Sequence, residues 1–169
     1  MDVRAAAAKA PARERFGGAR ILSTVMAGLA GAGVAAVHLH GVPPPEGRDL
    51  VELHLVAAAC AAWCGWRIVG LGLGSGPIRA ARRGLAAAAA AAILFCLAAG
   101  ARDIAVGLGR IRYADALALF ERIVMRAVEH AEVLLQSAAV PAMAAAGLAV
   151  ALLSEAMHRA WRWRDPRLA

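Results

Sequence analysis

Polar sequence is nearly missing from the interior of this chain, and that shortage is its most informative property. Charged residues make up 18% of the 169 residues, against 61% hydrophobic. A soluble domain would interleave its apolar runs with polar faces for water to wet, and such interleaving is almost absent. Cysteine is scarce too. The three present, Cys60, Cys64 and Cys96, form an odd set inside apolar stretches, a poor basis for a disulfide framework and more like small packing residues. The ligand spacings HxxxH and CxxC do not occur, nor does a nucleotide loop, a nucleophile elbow or a zinc-hydrolase motif. The expectation is a protein that is not an enzyme and that carries no cofactor.

What is present is four apolar stretches of about twenty residues each, at 21–42, 51–73, 84–101 and 133–157. A hydrocarbon core about 30 Å thick needs about 20 residues of helix at roughly 1.5 Å each. The fold class expected is all-α: a four-span transmembrane helical bundle at 21–158, with basic tails at 1–20 and 159–169. The alanine run 86–92 suits a closely packed helix. In the first span Gly28, Ala32 and Ala36 repeat a small residue at each turn, a spacing that lets a neighbouring helix approach.

The net charge of +7 does not indicate nucleic acid, because the arginines gather at the span ends instead of forming a patch. Arg4, Lys9, Arg13, Arg15 and Arg20 precede the first span, and Arg79, Arg82 and Arg83 separate the second from the third. Arg159, Arg162, Arg164 and Arg167 follow the fourth, whereas the first connection holds only Arg48. The positive-inside rule then puts both termini and the middle hairpin in the cytoplasm. The first span reads as a retained signal-anchor, since its basic leader and apolar run are too long for a cleaved signal peptide. Between the third and fourth spans lies one polar helix, about 114–132. Leu117, Phe120, Val124, Val128 and Ala131 make its apolar stripe, and Asp115, Arg122, Arg126 and Glu129 lie opposite. It fits an external amphipathic helix on the membrane surface or an extension of the fourth span. Pro141 is expected to bend that span.

The candidate functional charges are Arg67, Glu121, Glu129 and Glu155, since charge near a span is expensive and needs a reason. Glu155 wants a partner, for which Arg67 and Arg83 lie at a suitable depth. Glu121, Glu129, His130 and Glu132 form an acidic group that either binds cations or solvates its face. Weaker ligand candidates are His40 and His54 near the external boundary, and Cys60 with Cys64, four apart on one helix face and suited to a soft ion. His38 and His40, two apart, point to different sides of a helix.

The order of short motifs is similar to that of the small tellurite-resistance-associated membrane proteins of the TrgA type, found in alphaproteobacteria. The matching pieces are Pro45–Glu46–Gly47, Gly65–Trp66–Arg67–Ile68–Val69–Gly70, Arg83–Gly84, Arg112–Tyr113, Phe120–Glu121 and Val128–Glu129. The run Leu153–Ser154–Glu155–Ala156, followed by Arg159 and Trp161, matches as well. Where the family has a Tyr-Asp-Gly turn, this chain reads Tyr113–Ala114–Asp115, and its third span is poorer in aromatics. The resemblance implies an inner-membrane protein of oxyanion stress tolerance, and it implies no catalytic residues. Two other functions fit the sequence: an accessory small subunit of a membrane transporter, and a redox protein holding haem or a metal through its histidines or cysteines. The partners expected are the lipid bilayer and either further copies of the chain or a larger membrane protein.

Overall fold

The computed structural model describes residues 17–40, 50–107 and 116–164. Five helices account for almost all of them, and no strand occurs among the described residues. Helix α1 is Gly17–His40 and α2 is Leu50–Cys64. The second helix runs on through a π turn, Gly65–Val69, and a 3-10 turn, Gly70–Gly72. Helix α3 is Pro77–Gly107, α4 is Ala116–Gln136 and α5 is Ala139–Arg164. The proline loop 43–47, the stretch 108–115 with Tyr113 and Asp115, and the extreme tails lie outside the described residues. Residues 17–20 already belong to α1, and 159–164 to α5.

Four stretches are long and apolar enough to cross a membrane: Gly18–Ala36, Val51–Gly72, Pro77–Ala105 and Ala139–Trp161. The chain is a multi-pass helical membrane protein. Each spanning helix satisfies its backbone polar groups internally, as the hydrocarbon interior demands. The third span starts earlier than hydropathy indicates, because Arg79, Arg82 and Arg83 lie on the first turns of α3 instead of in a loop.

The four spanning helices close a ring in the order α1, α2, α3, α5, and α5 returns to α1. Small residues set the two closest pairs. On α1 the closest contact stripe is Ser23, Ala27 and Gly31, beside the repeat read from the sequence. It meets Ala57, Ala61 and Gly65 of the second span, and a Cβ on Gly31 would sit 2.8 Å from the Ala57 carbonyl oxygen. Gly28 also faces the second span, where an added Cβ would lie 3.5 Å from the Ala58 carbonyl oxygen and from the Ala62 Cβ. Helices α3 and α5 cross with Gly84 against Gly147, where a Cβ on either would lie 2.3–2.6 Å from the other's carbonyl oxygen. In lipid the attraction between helices comes from such packing, with no hydrophobic drive to assist it.

Helix α4 is a separate element that packs chiefly against α3 and closes one side of the cavity within the bundle. At their crossing, Gly100 of α3 lies under the backbone of Ile123 and Ala127. The chain breaks at Ser137 and Ala138, so α4 is no extension of the fourth span, and 133–136 belong to α4. The Ser137 hydroxyl donates to the Leu134 carbonyl at 2.7 Å and accepts from the Ala139 amide at 3.2 Å, ending one helix and starting the next. Pro141 therefore falls in the first turn of α5, where its missing N–H is not needed, and no bend in mid-span is required. Of the stripe read from the sequence, Leu117, Phe120 and Val128 are exposed, as is Leu135, whereas Val124 is half-buried and Ala131 packs against the bundle. Ala127 and Leu134 are the residues that α4 buries.

Candidate functional site

Two polar clusters occupy opposite ends of the bundle. The first lies where the second span turns into α3. Gly74 and Gly76 have φ of +85° and +100°, values an L side chain rarely adopts, and they flank Ser75 in the turn 74–76. This conformation turns successive amides toward one side, a natural cradle for an anion. The anion is Glu155 of α5, only 3% exposed. Its Oε2 accepts the Gly74 amide at 2.7 Å and its Oε1 the Gly76 amide at 3.1 Å. Arg159, one turn along, donates its Nε to Oε1 at 3.1 Å.

Around that carboxylate the packing is close. The Arg83 guanidinium lies across Gly72 and donates to the Ser75 hydroxyl at 3.2 Å. His158, buried, stands with its Nε2 3.0 Å from where a Cβ on Gly74 would be. Arg20 of α1 stacks over Trp66 at 4.3 Å. Glu155 thus finds its partners in two backbone amides and Arg159, and neither Arg67 nor Arg83 is among them. Arg67 points outward on the π turn, 5.9 Å from the Trp63 ring. The reason is geometric: a π turn holds an extra residue, so side chains beyond Cys64 are rotated from where a regular helix would aim them.

The second cluster borders a cavity of about 440 Å³ inside the ring. The tight α1–α2 and α3–α5 pairs point alanines such as Ala30, Ala57, Ala91 and Ala146 at the middle, and these are too short to meet across it. Four of its lining side chains are polar, namely Asp103, Arg126, Glu129 and His130. His130 Nε2 lies 3.0 Å from Asp103 Oδ2, tying α4 to α3, and both side chains are largely covered. Arg126 pairs with Glu129 at 2.6 Å along the exposed side of α4. Nearby, Arg102 forms an ion pair with Glu52, tying α3 to α2. The volume lies within the roughly 300–1,000 Å³ of small-molecule sites, and an apolar chamber with a few converging polar groups is their usual form.

The candidates read from the sequence are scattered over these features. Glu129 is at the cavity and Glu155 at the glycine turn, while Glu121 is exposed on α4 and belongs to neither. His54 is half-buried on α2. His40 ends α1, and its side chain, like that of His38, lies outside the described residues. Cys60 and Cys64 are free thiols, and Cys64 packs among Val69, Ala87 and Ala151. Among the described residues no three His, Cys, Asp or Glu side chains come together as a metal would need. Sequence reading missed the pairing of Asp103 with His130 and the two amides that hold Glu155. For the second a signal existed, since alternating glycines around one serine are what a positive-φ turn uses.

No family model, curated protein or solved structure matches this chain.

Proposed function

We propose that the protein is a non-enzymatic binding component of the bacterial inner membrane that receives a small, mostly apolar molecule in its bundle and serves tolerance of tellurite and related oxyanions. The cavity with its polar border carries the binding part. The oxyanion part rests on the resemblance of the motif order, and the orientation, with both termini cytoplasmic, rests on the arginine clusters at the span ends. Binding is the reading the site supports, because Asp103 and His130 engage each other at the edge of an otherwise largely apolar chamber.

A deletion strain grown on graded tellurite tests this reading. It is complemented with wild type, with Ala146→Leu, which fills the cavity, and with Gly33→Ala, where an added Cβ meets nothing within 4 Å. Wild type and Gly33→Ala should restore growth and Ala146→Leu should not. Normal growth of the deletion strain removes the tolerance role, and full rescue by Ala146→Leu removes the cavity from it.

An accessory-subunit role is the second reading. The exposed stripe Leu117, Phe120 and Leu135 on α4 can receive a partner helix as readily as lipid. Cross-linking in membranes from a cysteine placed at Leu135 separates the two, a discrete adduct with another protein favouring the subunit.

A further inference from the structure

We propose that the cavity takes a neutral amphiphile: an apolar chain or ring among the alanines, with a hydroxyl head at the Asp103–His130 pair. This rests on the binding reading above and names the chemistry it selects.

The walls decide the apolar part. Apart from four polar side chains, every lining residue is Ala, Gly, Val, Leu, Phe or Met. A free oxyanion would lose its hydration there and gain no compensating partners.

The border decides the head. Two carboxylates, Asp103 and Glu129, stand against one arginine and one histidine, and both of these basic side chains already face a carboxylate. An anionic head would meet two negative groups, with Arg126 already engaged by Glu129 and His130 by Asp103. An ammonium head would add a charge beside the Asp103–His130 pair, whose side chains are 15% and 22% exposed, and its desolvation there is unfavourable. A hydroxyl needs no counter-charge. The border is also rich in acceptors, because the Asp103 and Glu129 carboxylates can only accept. A head that donates therefore matches it better than a carbonyl, which can only accept. The toxic oxyanion is accordingly not the occupant, and the link to tolerance runs through a membrane lipid or a similar hydroxylated molecule.

Three probes with one chain and different heads test this: dodecan-1-ol, dodecanoate and dodecylammonium, at about pH 8, where the last two are ionised. Binding of radiolabelled probe is measured on the full chain in nanodiscs. Dodecan-1-ol should bind saturably and at least tenfold tighter than either ion, and potassium tellurite should not displace it. Asp103→Ala should erase the preference among heads while leaving weak binding. Ala146→Leu, or Ala30→Leu on another wall if the first fails to fold, should abolish binding of all three. Equal or tighter binding of dodecanoate or dodecylammonium, or displacement by tellurite, overturns the hydroxyl assignment and leaves the binding reading standing. No saturable binding of any probe, or binding indifferent to both leucine variants, overturns the binding reading itself.

Discussion

Glu155 holds two separate segments together, and the energy of that join can be worked from its bonds. Its carboxylate accepts the amides of Gly74 and Gly76, each a hydrogen bond to a charged group worth about 1.5–3 kcal/mol. Gly74 is at the surface, so its freed amide can find another partner and the lower figure applies there. Arg159 is half-exposed, and its share is below about 1 kcal/mol. Glu155→Ala should therefore destabilise the bundle by about 3 kcal/mol, roughly a hundredfold in the unfolding equilibrium. Glu155→Gln keeps one acceptor oxygen but turns an NH2 group toward the other amide, and should cost about 2 kcal/mol. Gly74→Ala attacks the same join from the other side. It forces a side chain to φ +85°, at about 1–2 kcal/mol, and sets a Cβ 3.0 Å from His158. Reversible unfolding by dodecyl sulfate in mixed micelles, followed by tryptophan fluorescence, reads these differences, with the exposed Glu121→Gln as a control within about 0.5 kcal/mol. An alanine variant less than about 1 kcal/mol below wild type would refute the idea that the carboxylate anchors the turn.

Three further outcomes follow from packing and burial. Gly84→Val should lose at least about 3 kcal/mol in the same titration, because its Cβ would press on the Gly147 carbonyl, and backbone cannot rotate away as a side chain can. Gly33→Ala should be neutral or stabilising by up to about 1 kcal/mol, as expected of glycine in an open helix position. Cys64 and Cys96, 3% and 5% exposed, should resist a water-soluble maleimide in the folded protein and label once it is unfolded in dodecyl sulfate. Rapid labelling of either under native conditions would show that its cluster opens.

How much of this was legible in the sequence depends on which quantity each feature obeys. The spans obey summed hydropathy, which is a property of composition, so all four are legible from the residues alone. Their boundaries obey local hydrogen bonding instead. Ser137 ends one helix and begins the next through its hydroxyl, and so Pro141 sits in an ordinary first turn and not at a mid-span bend. Helix α4 was legible as amphipathic, but not in its orientation. Leu117, Phe120 and Val128 of its apolar stripe face outward, while Ala131 of the same stripe packs on the bundle beside Ala127. In a membrane protein an apolar stripe does not identify the buried face, because lipid accepts it as well as the interior does.

The cavity obeys a quantity that no window of sequence contains, the distance between helices. Ala80 is 6% exposed and does not border the chamber, while Ala91, three turns on, lines it. The two residues are identical and share a face of α3. What separates them is how far the facing helices stand away at each level, which the close approaches at Gly31 and at Gly84–Gly147 determine from elsewhere in the chain. A glycine that admits a backbone draws two helices together, and the alanines beside it then decide whether the remaining space is closed or left open. In this bundle the same small residues therefore build both the tight crossings and the chamber. Enlarging one at a crossing should separate the helices, and enlarging one at the chamber should only fill it. Gly84→Val and Ala146→Leu place that distinction in one experiment. The first should unfold the protein more readily, because it forces the α3 and α5 backbones apart. The second should leave folding nearly intact while removing the space for a ligand.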